Sequence, residues 1–166
     1  EDFAGRDHVL VLNSDNYYPV HTLRGLRELA EARVAGVAAF ERDALVRLGN
    51  ITADRVAKYS VVEIDAGSML TRITEKPDMS SVTSHEGVVH VGMNSWCLPP
   101  RIYDACRAIT PSVRGELELA SAVQLARDEL GIPFRVLTYE DAVLDLSSRA
   151  DIPTIAQRLR DIEPSI

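Results

Sequence analysis

The sequence predicts a single α/β domain, residues 1–166, with a mixed and mostly parallel central sheet flanked by helices. Three observations support this class: an apolar run at residues 8–12, helically spaced apolar residues within 22–34, and a second apolar run at 37–40. Strand, helix and strand in this order form a βαβ unit, whose two strands lie parallel in one sheet. No linker, repeat or low-complexity segment divides the chain.

Each of these three segments has the pattern expected of its type. Residues 8–12 are apolar on both faces, which is typical of a buried central strand. Leu23, Leu26 and Ala30 fall on one side of a helix, and Gly36 ends that helix. The run at 37–40 is again apolar on both faces and predicts a second buried strand.

The remainder of the chain alternates strands and helices. A hairpin is predicted from strands 59–64 and 69–74, because the Asp-Ala-Gly-Ser segment between them is rich in turn formers. A last helix begins at Ser148, with Asp151 placed as in a capping box. Between these features we predict strands at 88–98, 134–137 and 142–146, and helices at 101–109 and 116–130.

Composition excludes several classes of function. A net charge of −7 argues against binding to nucleic acid, which requires clustered Lys and Arg. The two cysteines and four histidines lack the spacing of a zinc site. No apolar run is long enough to cross a bilayer, and no signal sequence opens the chain. We therefore expect a cytoplasmic protein without nucleic-acid or membrane partners.

Two acidic residues follow predicted strands. Asp15 comes directly after the first strand, and Asp145 lies in the apolar stretch just before Ser148. Ligands of open α/β sheets bind beyond the carboxyl ends of the strands, and carboxylates there suit Mg²⁺ shared with substrate phosphates. The alternative is structural: Asp15 is a turn former, and Asp145 enters a helix.

Two further motifs carry charges. Glu75-Lys76-Pro77 ends the hairpin, so that an acid and a cation are adjacent where Pro stops the strand. The cation can hold a phosphate and the acid can accept hydrogen bonds from hydroxyl groups, although an exposed edge-strand pair is the alternative. Arg114-Gly115-Glu116 precedes a helix, where acidic residues also occur simply because of the helix dipole.

The order of these motifs resembles the sugar-phosphate nucleotidyltransferases, the family of glucose-1-phosphate thymidylyltransferases and UDP-glucose pyrophosphorylases. The resemblance extends from about residue 9 to residue 159. It implies that Asp15 and Asp145 are the ligands of Mg²⁺. It also implies transfer of a nucleoside monophosphate from a nucleoside triphosphate to a sugar phosphate, with release of pyrophosphate.

The same resemblance implies a substrate site. Lys76 is expected to hold the sugar phosphate and to be the catalytic cation, while Glu75 is expected to bind a sugar hydroxyl. Asn94 falls where the family lines the sugar pocket, usually with Gly, and Glu116 belongs to the same substrate-binding set. The motifs leave the sugar, the base and the oligomeric state open, a homo-oligomer included.

The chain departs from the family in one major respect. The Gly-x-Gly-Thr-Arg pattern that wraps the triphosphate is absent from the sequence. We therefore expect the C-terminal portion of a nucleotidyltransferase domain, truncated at the N-terminus, or a degenerate relative. Two other functions remain open: a non-catalytic sugar-phosphate-binding or regulatory module, and a glycosyltransferase with an Asp-x-Asp motif. Asn13-Ser14-Asp15 offers only the second acid of that motif.

Overall fold

The computed structural model describes residues 5–77, 82, 84–112, 114–160 and 162. The elements are the strands β1 (Val9–Val11), β2 (Asn16–Tyr17), β3 (Ala35–Glu41), β4 (Ser60–Ile64), β5 (Leu70–Thr74), β6 (His90–Leu98), β7 (Phe134–Tyr139) and β8 (Leu144–Asp145), and the helices α1 (Val20–Glu31), α2 (Arg42–Leu48), α3 (Ala53–Val56), α4 (Ile102–Ala108), α5 (Leu119–Asp128) and α6 (Ile152–Leu159). None of the helices in these ranges is both long and apolar enough to cross a membrane.

The main sheet has the order β5-β4-β6-β3-β7, and β1 also pairs with β6. Only the β3–β7 pairing is parallel among the described residues, whereas β1, β3 and β4 all run antiparallel to β6. The predicted mixed α/β class is confirmed, but the expectation of a mostly parallel sheet is wrong. The strands β1 and β3 do form a βαβ unit with α1, yet β6 lies between them and separates the two parallel strands.

The strand β1 was also expected to be a buried central strand, and this is wrong. It pairs on one side, with the C-terminal half of β6, and the side chains of Leu10 and Leu12 are each 40% exposed. An apolar run therefore predicted the strand but not its place in the sheet, because the partner strand lies more than eighty residues further along the chain.

Helices cover both faces of the sheet. Val37 of β3 packs with Ala122 of α5 and with Trp96, the single tryptophan, on one face. Phe40 of the same strand packs with Leu26 of α1 on the other. Successive residues of a strand point to opposite faces, so an apolar run such as β3 is the pattern required when both faces are buried.

The segment before α5 contains a turn that the sequence did not predict. Gly115 has φ 76 and donates its N–H to the Ser112 carbonyl, while the Ser112 N–H donates to the Glu116 carbonyl. The helix therefore begins at Leu119 rather than at residue 116. Glu116 consequently lies in an exposed segment that precedes the helix and not in its first turn.

Candidate active site

A bulge in β6 creates the site. Along the β3–β6 ladder, Val37 pairs with Trp96 but Ala39 pairs with Gly92, so the longer segment of β6 bulges out. Asn94 lies in the middle of this bulge with φ 51, and it is the exposed residue of an otherwise buried strand. Asparagine is among the few residues with a side chain that tolerate this left-handed conformation. The bulge thus directs the Asn94 side chain out of the sheet.

The same bulge coincides with a gap in the sheet. On the edge of β6 opposite β3, β1 pairs with residues 96–98 and β4 pairs with residues 90–92. Residues 93–95 therefore have no strand partner on that edge in the part of the chain that the structure describes. Two cavities open at this gap, and all six residues that the sequence assigned to a site line one or both of them.

The first, which we call the carboxylate cavity, has a volume of about 80 Å³. It is lined by Asn13, Asp15, Asn16, Tyr59, Gly92, Met93, Asn94, Asp145 and Ser147. A short antiparallel pairing of β2 with β8 brings its acidic residues together, with Asn16 opposite Asp145. The Leu146 N–H donates to the Asp15 carbonyl at 2.9 Å, which extends this pairing. The two predicted metal ligands therefore line one cavity, although they are 130 residues apart in the sequence.

The carboxylate of Asp145 is held by three side chains. Its Oδ2 accepts hydrogen bonds from Arg55 and from the Tyr59 hydroxyl, both at 2.5 Å, and its Oδ1 accepts from the Ser147 hydroxyl at 2.8 Å. The Asp145 side chain is 5% exposed, so this ion pair is largely removed from water. Burial, and then the hydrogen bond to Asp145, raise the pKa of Tyr59 well above its ordinary value. Tyr59 therefore stays protonated and remains a donor to Asp145.

Arg55 also fixes the entrance to the last helix. Its second guanidinium nitrogen donates to Asp151 Oδ1 at 2.8 Å. Asp151 forms the predicted capping box with Ser148, which is confirmed. Burial opposes ionisation of Asp151, but hydrogen bonds from Ser148 and Arg55 outweigh it and lower the pKa of that carboxyl. Arg55 of α3 therefore links this helix to β8 and to the turn that follows β8.

The second, which we call the charged cavity, has a volume of about 310 Å³. It is lined by Val11, Asn13, Glu75, Lys76, Asn94, Arg114, Glu116, Glu118, Leu119 and Ala120. Asn13 and Asn94 line both cavities, so the two adjoin, and together we call them the cleft. A further cavity of about 350 Å³ between α2 and α3 is lined by none of the six predicted site residues.

Lys76 has an unusual backbone. It follows the end of β5 with φ 44, and it precedes Pro77. A left-handed conformation is unfavourable for Lys, and a following proline restricts the backbone further. Such a residue costs about 1–3 kcal/mol and occurs preferentially at functional sites. Lys76 therefore lies at a tight bend that faces the cavity and not in the middle of an edge strand.

The other charges of this cavity are largely paired. Arg114 donates to Glu118 at 2.7 Å and lies 3.4 Å from Glu116. Burial, and then the nearby Glu118, raise the pKa of Glu75 above its ordinary value. Among the described lining residues, Lys76 is the cation without an ion pair, so it is the positive group available to an incoming anion.

Sequence reasoning missed several residues of the cleft. Nothing in the sequence indicated that Arg55 and Tyr59 contact Asp145, because they lie about ninety positions before it and belong to no motif. Asn13 was noted only as part of a possible metal motif, yet it joins the two cavities. Arg114 was seen only as the start of the Arg-Gly-Glu motif.

The fold of the chain matches those of solved nucleotidyltransferases. The chain matches UDP-glucose pyrophosphorylase complexed with UDP-glucose with a TM-score of 0.74 at 15% identity, covering 96% of this chain and 58% of that one. It matches a putative glucose-1-phosphate thymidylyltransferase from Bacillus anthracis with a TM-score of 0.69 at 19% identity, covering 99% and 59%.

Sequence comparison gives the same class. The chain is 32% identical over 123 residues to the glucose-1-phosphate thymidylyltransferase of Streptomyces griseus, covering 74% of this chain and 30% of that protein. It is 24% identical over 161 residues to a putative UTP–glucose-1-phosphate uridylyltransferase of Methanocaldococcus jannaschii, covering 92% and 53%. No protein-family model matches. The predicted resemblance to sugar-phosphate nucleotidyltransferases is confirmed, and the chain spans between 30% and 53% of the length of these two relatives.

Proposed function

We propose that the chain carries the sugar-phosphate and metal half of a nucleotidyltransferase. Such an enzyme transfers a nucleoside monophosphate from a nucleoside triphosphate to a sugar 1-phosphate and releases pyrophosphate. The observation that carries the proposal is the pair of adjoining cavities: Lys76, a cation without an ion pair, lines one, two aspartates line the other, and Asn13 and Asn94 line both. The names of the relatives, which include glucose-1-phosphate thymidylyltransferase and UTP–glucose-1-phosphate uridylyltransferase, make glucose 1-phosphate the first substrate to test.

The charged cavity supports binding of a sugar phosphate. The Lys76 ammonium is a compact point charge that can hold a phosphate oxygen. Glu75, half-buried beside it, can accept hydrogen bonds from a sugar hydroxyl. Arg114 is held by Glu116 and Glu118 and so shapes the wall of the cavity. The phosphate would then be oriented by the ammonium group and the sugar by hydrogen bonds.

The carboxylate cavity supports the predicted Mg²⁺. Its donor set suits this ion, because Asp15 is exposed and Asp145 Oδ1 accepts a single hydrogen bond, from Ser147. Mg²⁺ bound there would neutralise charge on the phosphates. Arg55 and Tyr59 would hold Asp145 in position from behind, in the way that outer-sphere hydrogen bonds commonly orient ligating carboxylates. A cytoplasmic location and assembly into a homo-oligomer stay predictions.

A second candidate function is a module that binds sugar phosphate without transfer. One observation favours it: Arg55 already neutralises Asp145. Such a module would keep the charged cavity and lose turnover. The two candidates therefore agree on Lys76 and differ on pyrophosphate release.

Calorimetric titration of the chain with glucose 1-phosphate in the presence of Mg²⁺ tests the binding shared by both candidates. Lys76→Ala should weaken this binding by one to two decades, since a charge-assisted hydrogen bond contributes about 1.5–3 kcal/mol. The matched control is Lys58→Ala, because Lys58 is exposed and lines neither cavity. No binding by the wild-type chain, or equal weakening by both substitutions, contradicts the proposal.

Pyrophosphate release with dTTP or UTP, measured on the full-length protein that contains this chain, then separates the enzyme from the module. Turnover that falls in Lys76→Ala but not in Lys58→Ala supports the transferase. Saturable binding of glucose 1-phosphate with no pyrophosphate release supports the module.

A further inference from the structure

The hydroxyl group of Tyr18 is hydrogen-bonded beside the bulge of β6. This side chain is 5% exposed, and its oxygen lies 2.6 Å from the Met93 carbonyl oxygen. A carbonyl can only accept, so the Tyr18 hydroxyl donates its proton there. Two other groups approach the same oxygen at 3.2 Å: the backbone N–H of Asn13 and the side-chain amide of Asn16. Both must be donors, since the single proton of the hydroxyl is already committed.

This arrangement fixes the orientation of the Asn16 amide. The oxygen and nitrogen of an asparagine amide are distinguished by their hydrogen-bond partners. A flipped amide would bring Asn16 Oδ1 against a Tyr18 oxygen that has no proton to give it. Nδ2 therefore faces Tyr18, and Oδ1 points away from it.

The Asn16 oxygen is buried and has no partner. Oδ1 is shielded from solvent and accepts no hydrogen bond from the described residues. A buried acceptor that is left unsatisfied destabilises the fold, and an ion or a water molecule commonly accounts for such an atom. Asn16 lines the carboxylate cavity and pairs directly across the β2–β8 ladder with Asp145. Directly paired residues of an antiparallel ladder place their side chains on the same face.

We infer that Asn16 Oδ1 is a third oxygen ligand for the divalent cation of the carboxylate cavity, beside Asp15 and Asp145. This rests on the metal site of the proposed function and adds a residue to it. Mg²⁺ accepts neutral amide oxygens together with carboxylates and retains water in its other positions. The cavity of about 80 Å³ has room for an ion with part of its water shell, since a water molecule occupies about 30 Å³.

Binding of Mn²⁺, as a paramagnetic substitute for Mg²⁺, provides a test that needs no turnover. Electron paramagnetic resonance measures the free Mn²⁺ in a titration of the 166-residue chain. Asn16→Ala should weaken binding about tenfold or more, at least as much as loss of an outer-sphere partner does. Asn16→Asp should tighten binding, because an oxygen remains, a charge is added, and the Tyr18 hydroxyl can turn its proton from the Met93 carbonyl to the new carboxylate.

The control for added charge is Ser14→Asp. Ser14 is exposed, neighbours the cavity and does not line it. Tightening by Asn16→Asp that clearly exceeds the effect of Ser14→Asp supports direct ligation, and equal effects overturn it. Thermal unfolding of each metal-free variant shows whether it is folded, and Asn16→Asp keeps the test decisive if Asn16→Ala does not fold.

The remaining outcomes distinguish this inference from the proposed function. A wild-type chain that binds Mn²⁺, with Asn16→Ala binding equally well, overturns the role of Asn16. A wild-type chain that binds no Mn²⁺ at millimolar concentration overturns the metal site and this inference with it. Titration with glucose 1-phosphate is a separate measurement, so it decides independently whether sugar-phosphate binding stands.

Discussion

The two cavities of the cleft hold their central charged groups in opposite ways. In the carboxylate cavity, Asp145 is 4% exposed and is fixed by Arg55, Tyr59 and Ser147. In the charged cavity, Lys76 is exposed and makes no ion pair within the described residues. A buried, fully bonded group is costly to disturb, whereas an exposed charge contributes little to stability. One cavity is therefore built into the fold, and the other depends on the conformation of a single bend.

The largest effect is expected from Arg55→Ala, which removes a partner from both Asp145 and Asp151. Breaking a buried ion pair costs about 3–5 kcal/mol, and we expect the lower end because the Arg55 side chain is 25% exposed. Urea denaturation measures this loss. The matched control is Arg47→Ala, which breaks the exposed Arg47–Glu140 pair and should cost about 1 kcal/mol or less. Equal losses would mean that the carboxylate cavity is no more fixed than the surface.

The Arg55 substitution also has a pH signature. Hydrogen bonds from Ser148 and Arg55, working against burial, lower the pKa of Asp151. A carboxyl with a lowered pKa in the folded state stabilises the fold above its unfolded pKa, and this contribution is lost as the pH falls through the folded pKa. The decrease of the unfolding free energy in acid should therefore be shallower in Arg55→Ala than in the wild-type chain. Denaturation repeated from neutral to acidic pH measures the difference, and identical slopes would contradict it.

An intermediate effect is expected at Lys76, where stability and binding should separate. The backbone of residue 76 has φ 44, which Gly adopts without steric cost and Ala does not. Lys76→Gly should therefore be more stable than Lys76→Ala by about 1 kcal/mol. Both variants lack the ammonium and should lose affinity for glucose 1-phosphate equally. Thermal unfolding and calorimetric titration of the two variants check these points. Unequal affinities would show that the bend and not the charge determines binding.

The smallest effect is expected from Glu75→Gln. Burial and Glu118 raise the pKa of Glu75, so the folded chain binds this proton more tightly than the unfolded chain does. Stability is then lost as the pH rises from the unfolded toward the folded pKa, and it stays lower above that range. Glu75→Gln should be slightly more stable than the wild-type chain at neutral pH and equally stable where Glu75 is protonated in both states. A difference that does not change with pH would contradict this.

The sequence predicted what is determined locally. The hairpin of β4 and β5 follows from its turn residues, and the capping box of Ser148 and Asp151 lies within four positions. The placement of β6 between β1 and β3 could not be predicted, because it depends on pairing between distant segments. The βαβ pattern therefore gave the right class and the wrong strand directions.

In the candidate site, too, local features were predicted from the sequence and long-range contacts were not. The motifs around Lys76 and Asp145 were visible because each lies at the end of an apolar or β-rich stretch. The partners of Asp145 were not visible, since Arg55 lies in α3 and Tyr59 directly before β4, and neither belongs to a motif. The oxygen of Asn16 became a candidate ligand only when the hydrogen bonds of Tyr18 were known. Residue type predicted the chemistry of the cleft, and long-range contacts decide which atoms are available for it.

The position of the single tryptophan has a practical consequence for spectroscopy. Trp96 is fully buried in β6, two residues from Asn94 and on the same bulged strand. Its emission should therefore be at short wavelength in the folded chain and resistant to quenching by acrylamide, and should shift to the red when β6 is exposed. Every variant described above can be followed through this one fluorophore without labelling, and the signal originates beside the cleft whose integrity is in question.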